Sequence, residues 1–298
     1  MVGEMIDIGG RRLRLDRRGQ GAPTVVFEHG GGGGSSVQDL PVLRRVAAQT
    51  RAIAYDRAGL GRSEPGPPGR SFAERSADLD ALLTRIGEQG PLVIVGGSFG
   101  ALMARSYAHL HPARVAGMVL VDGGDEHGYY ATMPRMRAMH EGELRDAAER
   151  ARNGAMRAEL EPQLRRSRLF DPEEKAAALE IAASAVHFEA ALDELSVIDT
   201  PLPPGGFGAL GDKPLVVLSR GRPFTGDMAA WEEGAAEANR RLTALSARGV
   251  HVVAARCGHG ISIEHPDLVA AAILSVVRAV RGQAFDLTDV RALAADGP

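Results

Sequence analysis

The sequence predicts an α/β fold, with helices flanking a mostly parallel central sheet. Short apolar runs alternate with segments of helical spacing along the whole chain, which is the pattern of strands joined by crossover helices. Two further observations support this prediction. A sharp strand-to-helix turn surrounds Ser98, and about ninety residues between Asp122 and Pro214 break the alternation. With 298 residues, the chain is long enough to bury a large core.

The predicted elements follow from apolar periodicity. Residues 5–8 and 11–16 are expected to form a hairpin across Gly9-Gly10. Further strands are predicted at residues 24–28, 52–55, 92–95, 115–121, 215–218 and 250–254. Helices are predicted at residues 40–47, 79–86, 101–105, 231–245 and 269–280. Residues 283–298 form a polar, weakly patterned tail with room for one short helix.

Ser98 is the candidate nucleophile. It lies in Gly96-Gly97-Ser98-Phe99-Gly100, directly after an apolar strand and before a predicted helix. A serine on such a turn projects its hydroxyl from the sheet edge, and the flanking glycines let strand and helix approach closely. The G-x-S-x-G pattern is common by chance in a glycine-rich chain, so its weight comes from this context. The alternative is an ordinary N-cap serine.

A run of five glycines, Gly30–Gly34, follows the predicted strand 24–28. Such a run leaves backbone N–H groups accessible to negative charge. Acyl transfer needs two N–H donors for the oxyanion of its tetrahedral intermediate. We expect one donor from Gly31 or Gly32 and the other from Phe99. A flexible linker is the alternative, and a phosphate loop is disfavoured because no Lys-Ser/Thr pair closes it.

His259 is the candidate general base. It stands between glycines in a loop after the predicted strand 250–254. From there its imidazole can reach the sheet edge where Ser98 emerges and serve first as base and then as acid. Cys257 has no base placed to make it a nucleophile, so we expect a small buried residue there.

Together these segments resemble the α/β-hydrolase superfamily, and more closely its capped serine hydrolases of the esterase and lipase type. The resemblance runs almost end to end; its motifs are His29-Gly30, residues 55–63, the turn at Ser98, residues 119–122 and residues 258–260. It implies a Ser-Asp-His triad, with no cofactor and no metal, but it does not identify the substrate. Serine at this position argues against epoxide hydrolases and haloalkane dehalogenases, which carry aspartate there.

The sequence leaves the acid of the triad open. The resembling family often places it as G-x-x-D after the strand that corresponds to residues 215–218, but here this register ends in Phe224. We favour Asp122, because a carboxylate at a strand end can be preorganised for catalysis. It could equally cap backbone N–H groups. Asp227 is the alternative acid and would need a distorted loop. More distant choices are Asp125 and Glu126.

Residues 124–213 are predicted to form a helical cap inserted into a core made of residues 1–123 and 214–298. The segment is far longer than an ordinary loop and is rich in good helix formers. In a capped hydrolase it would lie over the nucleophile, and its apolar face would shape the pocket. The predicted pocket residues are Met133, Met136 and Phe188. The alternative is that they form only the core of a helical subdomain.

Composition limits the partners. The net charge is −3, from 35 basic and 38 acidic residues, so no nucleic-acid partner is implied. The single cysteine cannot form an internal disulfide, and the first residues lack the blocks of a signal peptide. No apolar run approaches the ~20 residues that span a bilayer. We expect a cytoplasmic protein with a small-molecule substrate and no membrane partner; the sequence does not specify its oligomeric state.

The predicted reaction is hydrolysis of a carboxylic ester, lactone or thioester of a small to medium, largely apolar substrate. Ser98 attacks the carbonyl, His259 takes the proton, Asp122 orients the imidazole, and water hydrolyses the acyl-enzyme. Two alternatives stay open. One is other chemistry on the same triad, such as perhydrolysis, C–C bond hydrolysis or acyl transfer to another acceptor. The other is a non-catalytic ligand-binding protein that keeps the pocket.

Overall fold

The computed structural model describes residues 3–296, so predictions that involve Met1, Val2, Gly297 or Pro298 extend outside the described residues. Eight strands form one sheet in the order β1-β2-β4-β3-β5-β6-β7-β8. The strands are β1 (Glu4–Asp7), β2 (Arg12–Arg18), β3 (Thr24–Glu28), β4 (Ala52–Tyr55), β5 (Leu92–Gly97), β6 (Val115–Val121), β7 (Leu215–Arg220) and β8 (Gly249–Ala254). Strand β2 pairs antiparallel with β1 and β4, and all other neighbours are parallel. The predicted α/β fold is confirmed.

Helices cover both faces of the sheet. They are α1 (Leu40–Ala47), α2 (Phe72–Arg85), α3 (Gly100–Leu110), α4 (Glu126–Arg152), α5 (Ala155–Arg166), α6 (Pro172–Ala182), α7 (Ala185–Glu194), α8 (Ala235–Thr243), α9 (Ile261–Glu264), α10 (Pro266–Val280) and α11 (Thr288–Asp296). Strand side chains alternate between the faces. On β3, Val25 and Phe27 join a core with α1, α10 and α11, whereas Val26 joins a core with α2, α3 and α8.

Four helices, α4 to α7, lie between β6 and β7 and correspond to the interruption in the βα pattern. They pack against the sheet edge through a third apolar cluster, in which Tyr129, Met133 and Phe188 meet Phe99 and Leu102. Phe99 directly follows Ser98, so the inserted helices lie beside the serine. No helix among residues 3–296 has the length and apolar character needed to cross a bilayer.

Some predicted helix boundaries differ from the observed ones: α2 begins at Phe72, seven residues before the predicted start, and α8 begins later than predicted. The sequence suggested a helix from Trp231 to Leu245, but α8 begins only at Ala235. Residues Gly226–Glu232 form a 3₁₀ turn instead. Gly234 separates the two, because its φ of +73° is in the left-handed region, which interrupts a right-handed helix. Apolar spacing alone does not detect such a break.

Candidate active site

Ser98 sits on the predicted sharp turn, because β5 ends at Gly97 and α3 begins at Gly100. The turn has little room for side chains. A Cβ on Gly100 would overlap the Glu28 carbonyl, and one on Gly96 would overlap the Gly100 carbonyl. At Gly97, by contrast, no heavy atom of the described residues would lie within 4 Å of a Cβ. Close packing of strand against helix therefore accounts for two of the three flanking glycines.

Two site residues share an unusual backbone conformation. Among residues 3–296, Ser98 with a φ of 51° and Asp122 with a φ of 47° are the non-glycine residues with positive φ. This conformation is unfavourable for L-residues and is concentrated at functional sites. The Ser98 N–H donates to the Val121 carbonyl at 2.9 Å, and the Asp122 N–H donates to the Leu218 carbonyl at 2.7 Å. The strained turns are thus anchored to neighbouring strand ends.

A chain of hydrogen bonds joins Ser98, His259 and Asp122. His259 Nε2 lies 3.0 Å from Ser98 Oγ, and His259 Nδ1 lies 2.6 Å from Asp122 Oδ2. A neutral imidazole fits this arrangement when Nδ1–H donates to the carboxylate and Nε2 accepts from the serine hydroxyl. The arrangement can remove the serine proton and stabilise the imidazolium that results.

Arg220 also holds the Asp122 carboxylate, which is only 7% exposed. The Arg220 backbone N–H donates to Oδ1 at 2.9 Å, and its guanidinium donates to Oδ2 at 2.8 Å. Burial alone would raise the pKa of Asp122, but the hydrogen bonds from His259 and Arg220 and their charges outweigh it and hold this pKa below its ordinary value. Asp122 is therefore a carboxylate at neutral pH.

Phe224 occupies the register where the sequence lacked an acid. Its ring centroid lies 5.2 Å from that of His259, and the Arg220 guanidinium lies 4.0 Å from the Phe224 centroid. Glu232 accepts from the Phe224 N–H at 2.6 Å and pairs with Arg220. Sequence reasoning missed Arg220 and Glu232. The one available signal was that Arg220 lies two residues after the predicted strand 215–218, which does not reveal its partner.

The other candidate acids lie elsewhere. Asp227 is exposed on the 3₁₀ turn, whereas both ring nitrogens of the histidine are already engaged. Asp125 is the N-cap of α4 and forms an ion pair with Arg241. Glu126 is buried in an ion pair with Arg105. The structure brings none of the three to the imidazole.

The predicted oxyanion donors lie next to Ser98. A Cβ on Gly30 would lie 3.7 Å from Ser98 Cβ, and one on Gly31 would lie 3.0 Å from Phe99 Cβ, so the glycine loop and the serine turn are adjacent. Within residues 3–296, no hydrogen bond occupies the backbone N–H of Gly31, Gly32 or Phe99. These groups can donate to a developing oxyanion.

A cavity of about 800 Å³ opens over the serine and is lined by all six predicted triad and oxyanion residues. Met133 and Phe188 of the inserted helices form part of its wall. Met136 does not line the cavity in the described part of the chain, although it is buried, so its placement in the pocket is corrected. Cys257 is buried, as predicted.

Residues 25–272 match the alpha/beta hydrolase family, and the chain belongs to this family. A probable transporter, efuK, of Hormonema carpetanum is 35% identical over 140 residues, which are 44% of this chain and 19% of that protein. Proline iminopeptidase PfmaB of Pestalotiopsis fici is 30% identical over 120 residues, which are 39% of this chain and 42% of that enzyme. The chain therefore spans less than half the length of these curated relatives.

Among solved structures, the fold is similar to that of a thermophilic esterase from Thermogutta terrifontis with malate bound. The TM-score is 0.65 at 22% sequence identity, and the match covers 94% of this chain and 99% of the esterase. At this identity the likeness shows the fold, which hosts many chemistries, and function has to be argued from the site.

Proposed function

We propose that the protein is a serine hydrolase that cleaves a carboxylic ester, lactone or thioester of a small to medium, largely apolar substrate. The observation that carries the proposal is the hydrogen-bond chain from Ser98 through His259 to Asp122 at the floor of a large cavity. Residues 124–213 act as a cap in this proposal, because Met133 and Phe188 contribute apolar surface to the cavity that Ser98 lines.

The first half-reaction forms the acyl-enzyme. Ser98 Oγ attacks the substrate carbonyl while His259 Nε2 takes its proton, and the carbonyl electron pair moves to the oxygen. The N–H groups of Phe99 and of Gly31 or Gly32 stabilise this oxyanion. When the tetrahedral intermediate collapses, the bond to the leaving group breaks and the imidazolium returns its proton to the departing alcohol or thiol.

The second half-reaction repeats these steps with water. His259 takes a proton from water, the hydroxide attacks the acyl carbon, and Ser98 leaves with the proton from the imidazolium. Asp122 keeps its charge throughout and orients the ring. The chemistry needs no cofactor. A cytoplasmic location is part of the proposal, because Cys257 has no second cysteine with which to pair.

A serine-directed fluorophosphonate and a short p-nitrophenyl ester test the proposal. We expect one covalent label on Ser98 by mass spectrometry, and a loss of about 10⁴-fold or more in turnover for Ser98→Ala with an unchanged melting curve.

Ser219 offers a matched control. Its hydroxyl lies 2.8 Å from His251 Nε2, so it is also a buried serine paired with a histidine, but this pair does not line the cavity in the described chain. Ser219→Ala should keep both labelling and turnover. If Ser98→Ala stays within tenfold of the wild type, the nucleophile is wrongly assigned. If the wild type takes no label and turns over no ester, the chain is a binding protein.

A further inference from the structure

The orientation of one peptide decides where the Gly31 N–H points. The Gly30 carbonyl, which belongs to the same peptide unit, accepts two hydrogen bonds, from Arg57 Nη2 at 3.1 Å and from His29 Nδ1 at 2.8 Å. This peptide is trans, so its C=O and N–H point in opposite directions. The two donors therefore fix the direction of the Gly31 N–H, which is opposite to theirs, and Gly31 lines the cavity next to Phe99.

Arg57 is held on its other side by the inserted helices. Its side chain is 3% exposed, and its Nε and Nη2 donate to the two carboxylate oxygens of Glu194 at 2.8 and 2.9 Å. Glu194 is the last residue of α7. A third bond, from Nη1 to the His29 carbonyl, is 2.7 Å long. A planar guanidinium can serve the carboxylate and two consecutive carbonyls at once, which an ammonium cannot.

His29 has a fixed tautomer for the same purpose. Burial and the neighbouring Arg57 charge hold the pKa of His29 well below its ordinary value, so the ring is neutral. Its Nε2 accepts from the Arg57 backbone N–H at 3.4 Å, which leaves the proton on Nδ1, the atom that faces the Gly30 carbonyl. Arg57 thus acts on this carbonyl directly and through His29.

We propose that Arg57 is a positioning residue for the oxyanion site: it holds the Gly30–Gly31 peptide so that the Gly31 N–H points at the reacting carbonyl, and it does so only while Glu194 keeps α7 docked. This inference rests on the proposed hydrolase function. It makes the inserted helices more than a pocket wall, because their last residue, Glu194, holds the arginine that supports an N–H donor.

The test compares Arg57→Lys with Arg75→Met. Arg75 is the matched control: it is 5% exposed and lies 3.6 Å from the same Glu194 carboxylate, but in the described chain it does not contact the Gly30 carbonyl. Removing the arginine alone would leave the buried Glu194 carboxylate without its main partner. The double variant Arg57→Met/Glu194→Gln is therefore measured instead if Arg57→Lys does not fold.

Three measurements separate positioning from general stability. They are kcat and KM for a p-nitrophenyl ester, the Ki of a trifluoromethyl ketone that forms an oxyanion on the serine, and the Ki of n-hexanol as an uncharged occupant of the cavity. For Arg57→Lys we expect kcat to fall about 10- to 100-fold, which is less than the loss for a deleted oxyanion donor. The ketone Ki should rise by the same factor as kcat/KM falls, because both depend on the oxyanion. KM and the hexanol Ki of Arg57→Lys should stay within threefold of the wild-type values. In Arg75→Met, all of these constants should stay within threefold of the wild-type values.

The positioning role is overturned if Arg57→Lys or the double variant keeps kcat within threefold. It is overturned as well if the ketone Ki does not rise by the factor by which kcat/KM falls. The same holds if kcat falls as much in Arg75→Met as in Arg57→Lys. Failure of the proposed function looks different, because the wild type itself would then show no turnover. In that case a crystal structure of Arg57→Lys still decides the inference: the Gly30 carbonyl should turn from its wild-type direction, and an unchanged peptide contradicts the proposal.

Discussion

The ends of β6 and β7 lie side by side at the edge of the sheet, yet they serve His259 in different ways. At the end of β6, Asp122 has a left-handed backbone, and its carboxylate meets the imidazole at 2.6 Å. At the end of β7, Arg220 does not contact the imidazole; it donates to Asp122 and packs on Phe224. One strand end supplies the carboxylate that meets the imidazole, and the next supplies the groups that hold this carboxylate.

This difference shows how a carboxylate at the end of β6 can meet the imidazole when the register after β7 holds no acid. The position after β7 where the resembling family often has an acid holds Phe224 here, and its ring lies against His259. The ring lies beside the imidazole, while the hydrogen bonds from His259 and Arg220 and their charges hold the pKa of Asp122 below its ordinary value. Phe224 and Arg220 therefore place an aromatic ring and a cation around the pair of His259 and Asp122.

The largest effect is expected when each candidate acid is replaced by its amide. Asp122→Asn should lower kcat by about 10⁴-fold at neutral pH, because the amide favours the tautomer that cannot accept the serine proton. Asp227→Asn is the control and should keep most of its activity, since Asp227 is exposed on the 3₁₀ turn. Steady-state kinetics on a p-nitrophenyl ester, with circular dichroism to check folding, would show the reverse order if the β7 loop supplied the acid.

The sequence was sufficient for the backbone on which the candidate site stands. The sharp turn at Ser98 could be predicted because it demands small neighbours, and the strand end before Asp122 because an apolar run precedes it. The choice of Asp122 as the acid rests on the rigidity of a strand end and on Phe224 in the usual register, and it stays a prediction. Arg220 could not be predicted, since its role depends on side-chain direction at the end of a strand. The pairing of Arg57 with Glu194 spans 137 positions, and no local pattern encodes such a contact.

Arg220→Met removes the support that the end of β7 provides and leaves the Asp122 carboxylate at the end of β6 in place. We expect the free energy of unfolding at pH 7 to fall by about 1–3 kcal/mol, because Asp122 and Glu232 each lose a charge-assisted bond. Since the folded-state pKa of Asp122 is lowered, its contribution exists above the unfolded pKa and is lost as the pH falls through the folded pKa. The difference in free energy of unfolding between the variant and the wild type should therefore shrink below about pH 4. Urea unfolding at pH 7 and at a pH below 4 would measure this change.

Arg222→Met provides the reference for this measurement. Arg222 lies two residues further along and pairs with Glu264, but its side chain is 60% exposed. Exposed pairs contribute little, so we expect a change of at most about 1 kcal/mol. Two results would show that Arg220 does not support Asp122. Either Arg220→Met is as stable as the wild type at pH 7, or the loss in its free energy of unfolding becomes larger as the pH falls.

The smallest expected effect concerns the inserted helices, to which β6 leads directly. Phe188 and Met133 line the cavity, so truncating either to Ala removes apolar contact with the remote part of the substrate. We expect the ratio of kcat/KM for octanoate over acetate p-nitrophenyl esters to change by about tenfold, with a smaller change for acetate itself. Met136→Ala is the matched control, because this buried methionine of the same helix does not line the cavity in the described chain. If Phe188→Ala and Met133→Ala leave this ratio unchanged, their side chains only pack the inserted helices together. The same conclusion follows if Met136→Ala changes the ratio as much as they do.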